Sequence, residues 1–158
     1  MTTSKPSLND IHSFLAKKRL ALIGASTDKR DFSRVLMREF AERGYDIVPV
    51  NPSASCLEDR HCYAHVAEIR PPVEGALIMT PPSVTEDVVR ECVEAGIKDI
   101  WLYKSVGQGA ISPNAVSYCK EHKVNLIEGQ CPMMFFEKAG LVHRIHRGFA
   151  KLFGNFPE

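Results

Sequence analysis

The sequence predicts an α/β fold: a doubly wound, open, Rossmann-like sheet of about five parallel strands with helices on both faces. Three observations carry this. Short β-type apolar runs alternate with helical patterns along most of the 158 residues. The runs are apolar on both sides, as strands buried between two helical layers must be. The first run ends on a glycine turn that opens a helix, the order in which backbone N–H groups are presented to an anion.

Ser7 to Lys18 reads as an N-terminal helix, with Leu8, Ile11, Phe14 and Leu15 on one face and lysines at its end, where cations suit the dipole. Leu20–Gly24 is the first strand. Asp31–Arg43 is a helix closed by Gly44, which accepts a left-handed cap. Asp46–Pro52 gives the second strand and its exit, and Gly75–Met79 the third strand. Ser83 is expected to cap the next helix, with Glu86 completing a capping box and Gly96 ending the helix. Lys98–Tyr103 is the fourth strand. Ser112 and Pro113 start a helix running to about His122. Val124–Gly129 is the fifth strand, and an amphipathic helix is expected over Leu141–Phe153. Between Ser53 and Pro72 helix and loop signals compete. Right-handed crossovers join such strands into one domain, expected over residues 1–158.

Hydrophobic residues make up 44% of the chain and charged ones 25%, ordinary for a soluble globular protein. The net charge of +1 gives no global field directed at nucleic acid, so any anion site is local. Cys56, Cys62, Cys92, Cys119 and Cys131 are odd in number and scattered, which suits a reduced chain better than a disulfide framework. Met1 to Arg19 holds no signal-peptide apolar core, and Asp10 counts against a transit peptide. No apolar run is long enough to cross a bilayer. The expectation is a soluble cytoplasmic protein with a small-molecule ligand, and neither nucleic acid nor membrane as partner.

In a sheet of this kind ligands sit beyond the carboxyl ends of the strands, where the strand order reverses. The segments expected there are Gly24 to Arg30, Asn51-Pro52, Thr80-Pro81-Pro82, Tyr103-Lys104-Ser105 and Gly129-Gln130-Cys131. Gly24 permits a sharp turn and close approach of a ligand to the backbone. Ser26 offers a hydroxyl and an N–H expected to face outward. Lys29, Arg30 and Arg34 place three cations beside a helix N-terminus, an arrangement that makes sense when a phosphorylated ligand completes the charge balance. Solvated surface charge is the plainer alternative. NAD fits poorly: the second strand ends on neutral Asn51 where such sites carry an acid, and two fingerprint glycines are absent. NADP stays open, because the cations suit a 2′-phosphate.

The stretches "LIGASTDKRDFSRVL", "GYDIVPVNP", "GALIMTPPSVTEDVVRECVEAGIKDIWL" and "EGQCPMMF" resemble, in order, the small stand-alone CoA-binding-domain proteins. Their fold is similar to the CoA-binding Rossmann domain of the succinyl-CoA synthetase α-subunit. The resemblance implies CoA or acyl-CoA as ligand. By the family pattern Gly24, Ala25 and Ser26 line the pyrophosphate with Lys29 or Arg30 nearby. Asn51 and Pro52 border the adenosine portion, Thr80, Pro81 and Pro82 form the other side of the cleft, and Tyr103, Lys104 and Ser105 form a further contacting loop. The synthetase's phosphohistidine loop and ATP-grasp domain are not recognisable in this chain. Three function classes follow: a non-catalytic CoA-binding module, an NADP-type binding domain or small oxidoreductase, and an accessory subunit of an ADP-forming acyl-CoA synthetase system.

No catalytic residue is assigned. Cys131, near the predicted cleft, is the weak nucleophile candidate; packing beside Pro132 and Met133–Phe136 is the preferred reading. Cys56, His61, Cys62 and His65 are metal-ligand types without the spacing of a known zinc motif, and no metal site is assigned. Leu141, Val142, Ile145, Phe149, Leu152 and Phe153 form an apolar stripe that packs on the sheet, makes a homodimer contact or docks an acidic partner. His143 and His146, near Arg144 and Arg147, read as surface or interface histidines.

Overall fold

The structure, a computed structural model, describes residues 5–136 apart from 106 and 108. Its strands are β1 (Arg19–Ile23), β2 (Asp46–Val50), β3 (Cys56–Leu57), β4 (Arg60–His61), β5 (Gly75–Ile78), β6 (Asp99–Tyr103) and β7 (Asn125–Gln130). Its α-helices are α1 (Leu8–Leu15), α2 (Phe32–Glu42), α3 (Pro82–Glu94) and α4 (Pro113–Glu121). Five strands form one parallel sheet in the order β2-β1-β5-β6-β7, while β3 and β4 pair as a separate antiparallel hairpin. The expected doubly wound sheet is therefore present.

Alternation along each strand divides the core in two. Leu20, Leu22, Ile47, Leu77, Trp101 and Ile127 pack against Ile11 and Phe14 of α1 and Leu36, Met37 and Phe40 of α2. On the other face Ala21, Ile23, Val48, Val50, Ala76, Ile78, Ile100 and Leu102 meet Val89 and Cys92 of α3 and Ala115, Val116 and Cys119 of α4. Each fully buried large apolar side chain contributes on the order of 1.5–3 kcal/mol. Trp101 is buried, meets Phe14 edge-on at 5.3 Å, and donates its indole N–H to Gln130 O at 2.9 Å, so its polar atom is satisfied.

The helix ends follow local chemistry. Ser7 and Asp10 form a capping box at α1, Asp31 caps α2, and Ser112 caps α4 ahead of Pro113. Gly44, at φ +83°, ends α2 as expected. The capping box expected at Ser83 and Glu86 does not form. Pro81 and Pro82 set the start: Pro81 stands at the cap and Pro82 at the first helical position, where its missing N–H costs little. Glu86 turns instead to Arg90, at 2.9 Å, and Asn114, at 3.0 Å.

The ambiguous stretch after β2 becomes the β3–β4 hairpin and a short 3₁₀ turn over Val66–Glu68. Glu58 and Asp59 both take left-handed φ, +49° and +57°, as a tight two-residue hairpin loop demands. Only Asp59 is a residue type that favours such a loop, and it is preceded by a glutamate, so the turn signal there is weak. Tyr63 then covers part of the β2 edge, donating to Pro49 O at 3.1 Å and accepting from Asn51 N at 2.9 Å. Among the described residues no helix is long and apolar enough to cross a membrane.

Candidate functional site

The chain leaves β1 for β2 on one side and returns to β5 on the other, so the strand order reverses between β1 and β5. Beyond that point ligands sit in sheets of this type. Two exits meet there. Gly24 has φ +91°, and a Cβ on it would lie 2.9 Å from Thr80 N and 3.0 Å from Met79 C. Glycine is required because the protein's own backbone comes close, in addition to any ligand. The β2 exit is tied to the same place: Asn51 Nδ2 donates to Ala25 O at 2.7 Å, and Asn51 Oδ1 accepts from Ser53 N at 2.7 Å. Pro52 is exposed beside it. Thr80 is buried, its hydroxyl 2.8 Å from that of Thr85, while Pro81 is exposed and Pro82 half-buried.

The turn from Gly24 to Asp31 is held by its own side chains. Ser26 Oγ accepts from Asp28 N at 3.1 Å, and Asp28 Oδ1 accepts from Arg30 N at 2.9 Å. That Arg30 N–H, with the Arg30 guanidinium, holds the exposed Asp28 carboxyl below its ordinary range. Asp31 accepts from Ser33 N at 2.8 Å and from Ser33 Oγ at 2.6 Å. The buried Ser33 hydroxyl in turn accepts from Ser26 N at 2.9 Å. The Ser26 amide is thus turned to α2, which corrects the expectation that it faces outward: the first turn of the helix supplies a hydroxyl that takes it.

The three cations of the turn divide. Lys29 and Arg30 are exposed, with Arg30 at 3.3 Å from Asp28. Arg34 is only 4% exposed and differs from the free cation suggested by its place in the sequence. Its Nε donates to Glu58 Oε1 at 2.9 Å, and its Nη1 donates to Ser26 O at 3.2 Å and Thr27 O at 3.4 Å. Arg38 reaches the same Glu58 oxygen at 2.8 Å. Charge at 34 is therefore compensated within the protein.

At the β6 exit Tyr103 is half-buried, with the Phe32 ring centred 5.8 Å away. Burial, helped by the nearby Cys131 and opposed by a hydrogen bond with Ser105, pushes its phenol up to about 12. Lys104 is half-buried and Ser105 exposed. A register shift after Leu102 pairs Tyr103 with Gln130, which brings Cys131 alongside. Cys131 is buried, and burial raises its thiol to about 11 against hydrogen bonds from the Met133 and Met134 backbone. Such a thiol is protonated at neutral pH, the opposite of an activated nucleophile.

Cys56 and His61 are cross-strand partners in the hairpin, Cys62 is buried, and His65 lies 3.5 Å from Glu91. Among the described residues no group of three or more His, Cys, Asp or Glu side chains could hold a metal ion. The stripe from Leu141 to Phe153, with His143 and His146, lies outside the described residues. Two residues at the turn escaped the reading of the sequence. Ser33 sits two positions past an aspartate, a local pattern that a search for capping residues finds. Glu58 lies 24 residues from Arg34, and no local signal joins them.

Known proteins of similar sequence and fold share this arrangement of strands. A family described as a CoA binding domain matches residues 18–137. The ADP-forming acetate–CoA ligase II of Archaeoglobus fulgidus is 29% identical over 101 residues, covering 63% of this chain and 15% of that protein. The ADP-forming acetate–CoA ligase of Methanocaldococcus jannaschii is 24% identical over 118 residues, covering 72% and 17%. The chain thus spans less than a fifth of the length of either ligase. An uncharacterized protein of Bacillus subtilis, YneT, is 24% identical over 127 residues, covering 80% of this chain and 91% of its own. Among solved structures, a hypothetical protein from Pyrococcus horikoshii superposes with a TM-score of 0.77 at 26% identity, over 88% of this chain and 99% of that one. Matched across most of its length, the chain belongs to the CoA-binding-domain family.

Proposed function

We propose that the chain binds CoA, free or as an acyl thioester, where the Gly24 turn meets the Thr80 exit, and that it acts as a binding module. The reading rests on one coincidence: the family match falls on a chain whose β1 and β5 exits touch, Gly24 against Thr80, at the reversal of strand order. Gly24, Ala25 and Ser26 line the pyrophosphate. Lys29 and Arg30, exposed at the turn, supply positive charge for a ligand with several phosphate oxygens. Asp28 offsets part of this charge through its ion pair with Arg30 at 3.3 Å, and Asp31 is engaged with the backbone N–H and hydroxyl of Ser33. Asn51 and Pro52 border the adenosine portion, Thr80, Pro81 and Pro82 form the opposite wall, and Tyr103, Lys104 and Ser105 close a third side.

No residue is assigned a catalytic role, and the protonated, buried Cys131 supports that choice. A second reading is favoured by the ligase relatives, of which this chain matches a segment: an accessory role beside an ATP-grasp partner in acyl-CoA metabolism. Thermal-shift measurements with CoA, acetyl-CoA, NAD and NADP test the ligand. CoA species are expected to raise Tm, since a ligand at about 100 times its Kd adds roughly 2.7 kcal/mol of stability. Stabilisation by NADP alone contradicts the proposal and favours a nicotinamide-nucleotide site.

A further inference from the structure

We infer that Arg34 is a positioning residue: held by Glu58, it fixes the peptide between Ser26 and Thr27 so that the Thr27 N–H is offered to a phosphate of the ligand. The inference rests on the CoA-binding reading and adds the donor and the device that aims it.

In a trans peptide the C=O and the following N–H point in opposite directions. The Ser26 carbonyl is held on Arg34 Nη1 at 3.2 Å, on the protein side of the turn. The Thr27 N–H is therefore directed away from α2 and from the hairpin. Its neighbours are already used, Ser26 N by Ser33 Oγ and Asp28 N by Ser26 Oγ. Thr27 itself is exposed, and among the described residues its N–H makes no hydrogen bond. The turn thus presents one amide between two that are engaged.

Holding that plane needs a guanidinium. Nε and Nη1 of Arg34 address Glu58 and two turn carbonyls at once, a fork that a lysine ammonium does not reproduce. Glu58 supplies the counter-charge from a left-handed conformation that glutamate rarely adopts, and both Arg34 and Arg38 hold it there. Arg34 acts through the backbone and touches no phosphate.

The test is an NMR titration of the ¹⁵N-labelled full chain with inorganic pyrophosphate and, separately, CoA, for wild type, Arg34→Lys and Glu58→Gln. In wild type the Thr27 amide is expected to shift strongly with pyrophosphate. Arg34→Lys is expected to weaken pyrophosphate and CoA binding about tenfold, the loss of an oriented hydrogen bond to an anion. The preference for CoA over 3′-dephospho-CoA is expected to stay unchanged. Glu58→Gln keeps an acceptor for the guanidinium and is expected to stay within about threefold of wild type. A Thr27 amide indifferent to pyrophosphate in wild type overturns the inference, even if Arg34→Lys fails to fold. So does tighter binding by Glu58→Gln, which would mean that Arg34 is a phosphate ligand held back by Glu58. A Thr27 response to pyrophosphate without CoA binding leaves the positioning role standing and removes CoA as the ligand.

Discussion

Asn51 Nδ2 donates to the Ala25 carbonyl at 2.7 Å, so a residue at the exit of β2 fixes the turn at the exit of β1. At this place dinucleotide sites carry an acid for the ribose hydroxyls. Here the side chain faces the protein's own backbone, and its other atom is taken by Ser53 N. Asn51→Ala leaves the buried Ala25 carbonyl without this donor and is expected to cost about 1–3 kcal/mol in urea unfolding. Asn51→Asp has no donor to offer that carbonyl. It is expected to destabilise the fold and to gain no NAD affinity in calorimetry; tight NAD binding by this variant would contradict the account.

Gly24→Ala tests the contact between the two exits. The added methyl meets Thr80 N at 2.9 Å, in a backbone conformation that L-residues rarely adopt. Both effects act together, and a loss of about 1–3 kcal/mol is expected, with weaker CoA binding in the folded fraction. Wild-type stability in the variant would show that β1 and β5 exits do not approach this closely.

The thiols are expected to separate cleanly. Cys56 is exposed, whereas Cys62, Cys92, Cys119 and Cys131 are buried. Burial raises the thiols of Cys119 and Cys131 to about 11 and pushes those of Cys62 and Cys92 upward as well. Alkylation of the native protein near neutral pH, read by mass spectrometry, is expected to modify Cys56 first and to spare Cys131. Rapid loss of the Cys131 thiol would restore it as a nucleophile candidate.

The same groups set a limit on the alkaline side. Burial pushes the thiols of Cys119 and Cys131 from an ordinary 9.0 up to about 11, and the phenol of Tyr103 from 10.0 up to about 12. The folded state holds these protons more tightly, so their contribution is complete below pH 9. It declines as pH rises from about 9 to about 12, because the unfolded chain deprotonates first. Urea midpoints measured across that window are expected to fall. A midpoint that stays level to the top of it would show that these groups are not buried as described.

The legible part of the fold was the part written in local pattern. Two-sided apolar strands such as Leu20–Ile23 and the proline-led helix at Pro113 leave a clear trace in the sequence. At the start of α3, Ser83 and Glu86 match a capping pattern that two preceding prolines pre-empt. The hairpin at Glu58 and Asp59 leaves little trace for a different reason: the left-handed Glu58 is held by arginines 20 and 24 positions away. At the strand exits, residue types single out the turn after Gly24, while the bonding partners of its side chains leave no local trace. Ser26 was expected to present its amide and Arg34 its charge, yet Ser33 and Glu58 take them.

Equilibrium dialysis of the purified chain against labelled CoA and acetyl-CoA, at two salt concentrations, addresses the binding proposal most directly. The account predicts saturable binding with one site per chain that weakens as salt rises, because exposed cations at the turn meet phosphate. A wild-type chain that retains neither thioester nor free CoA at low salt would contradict it.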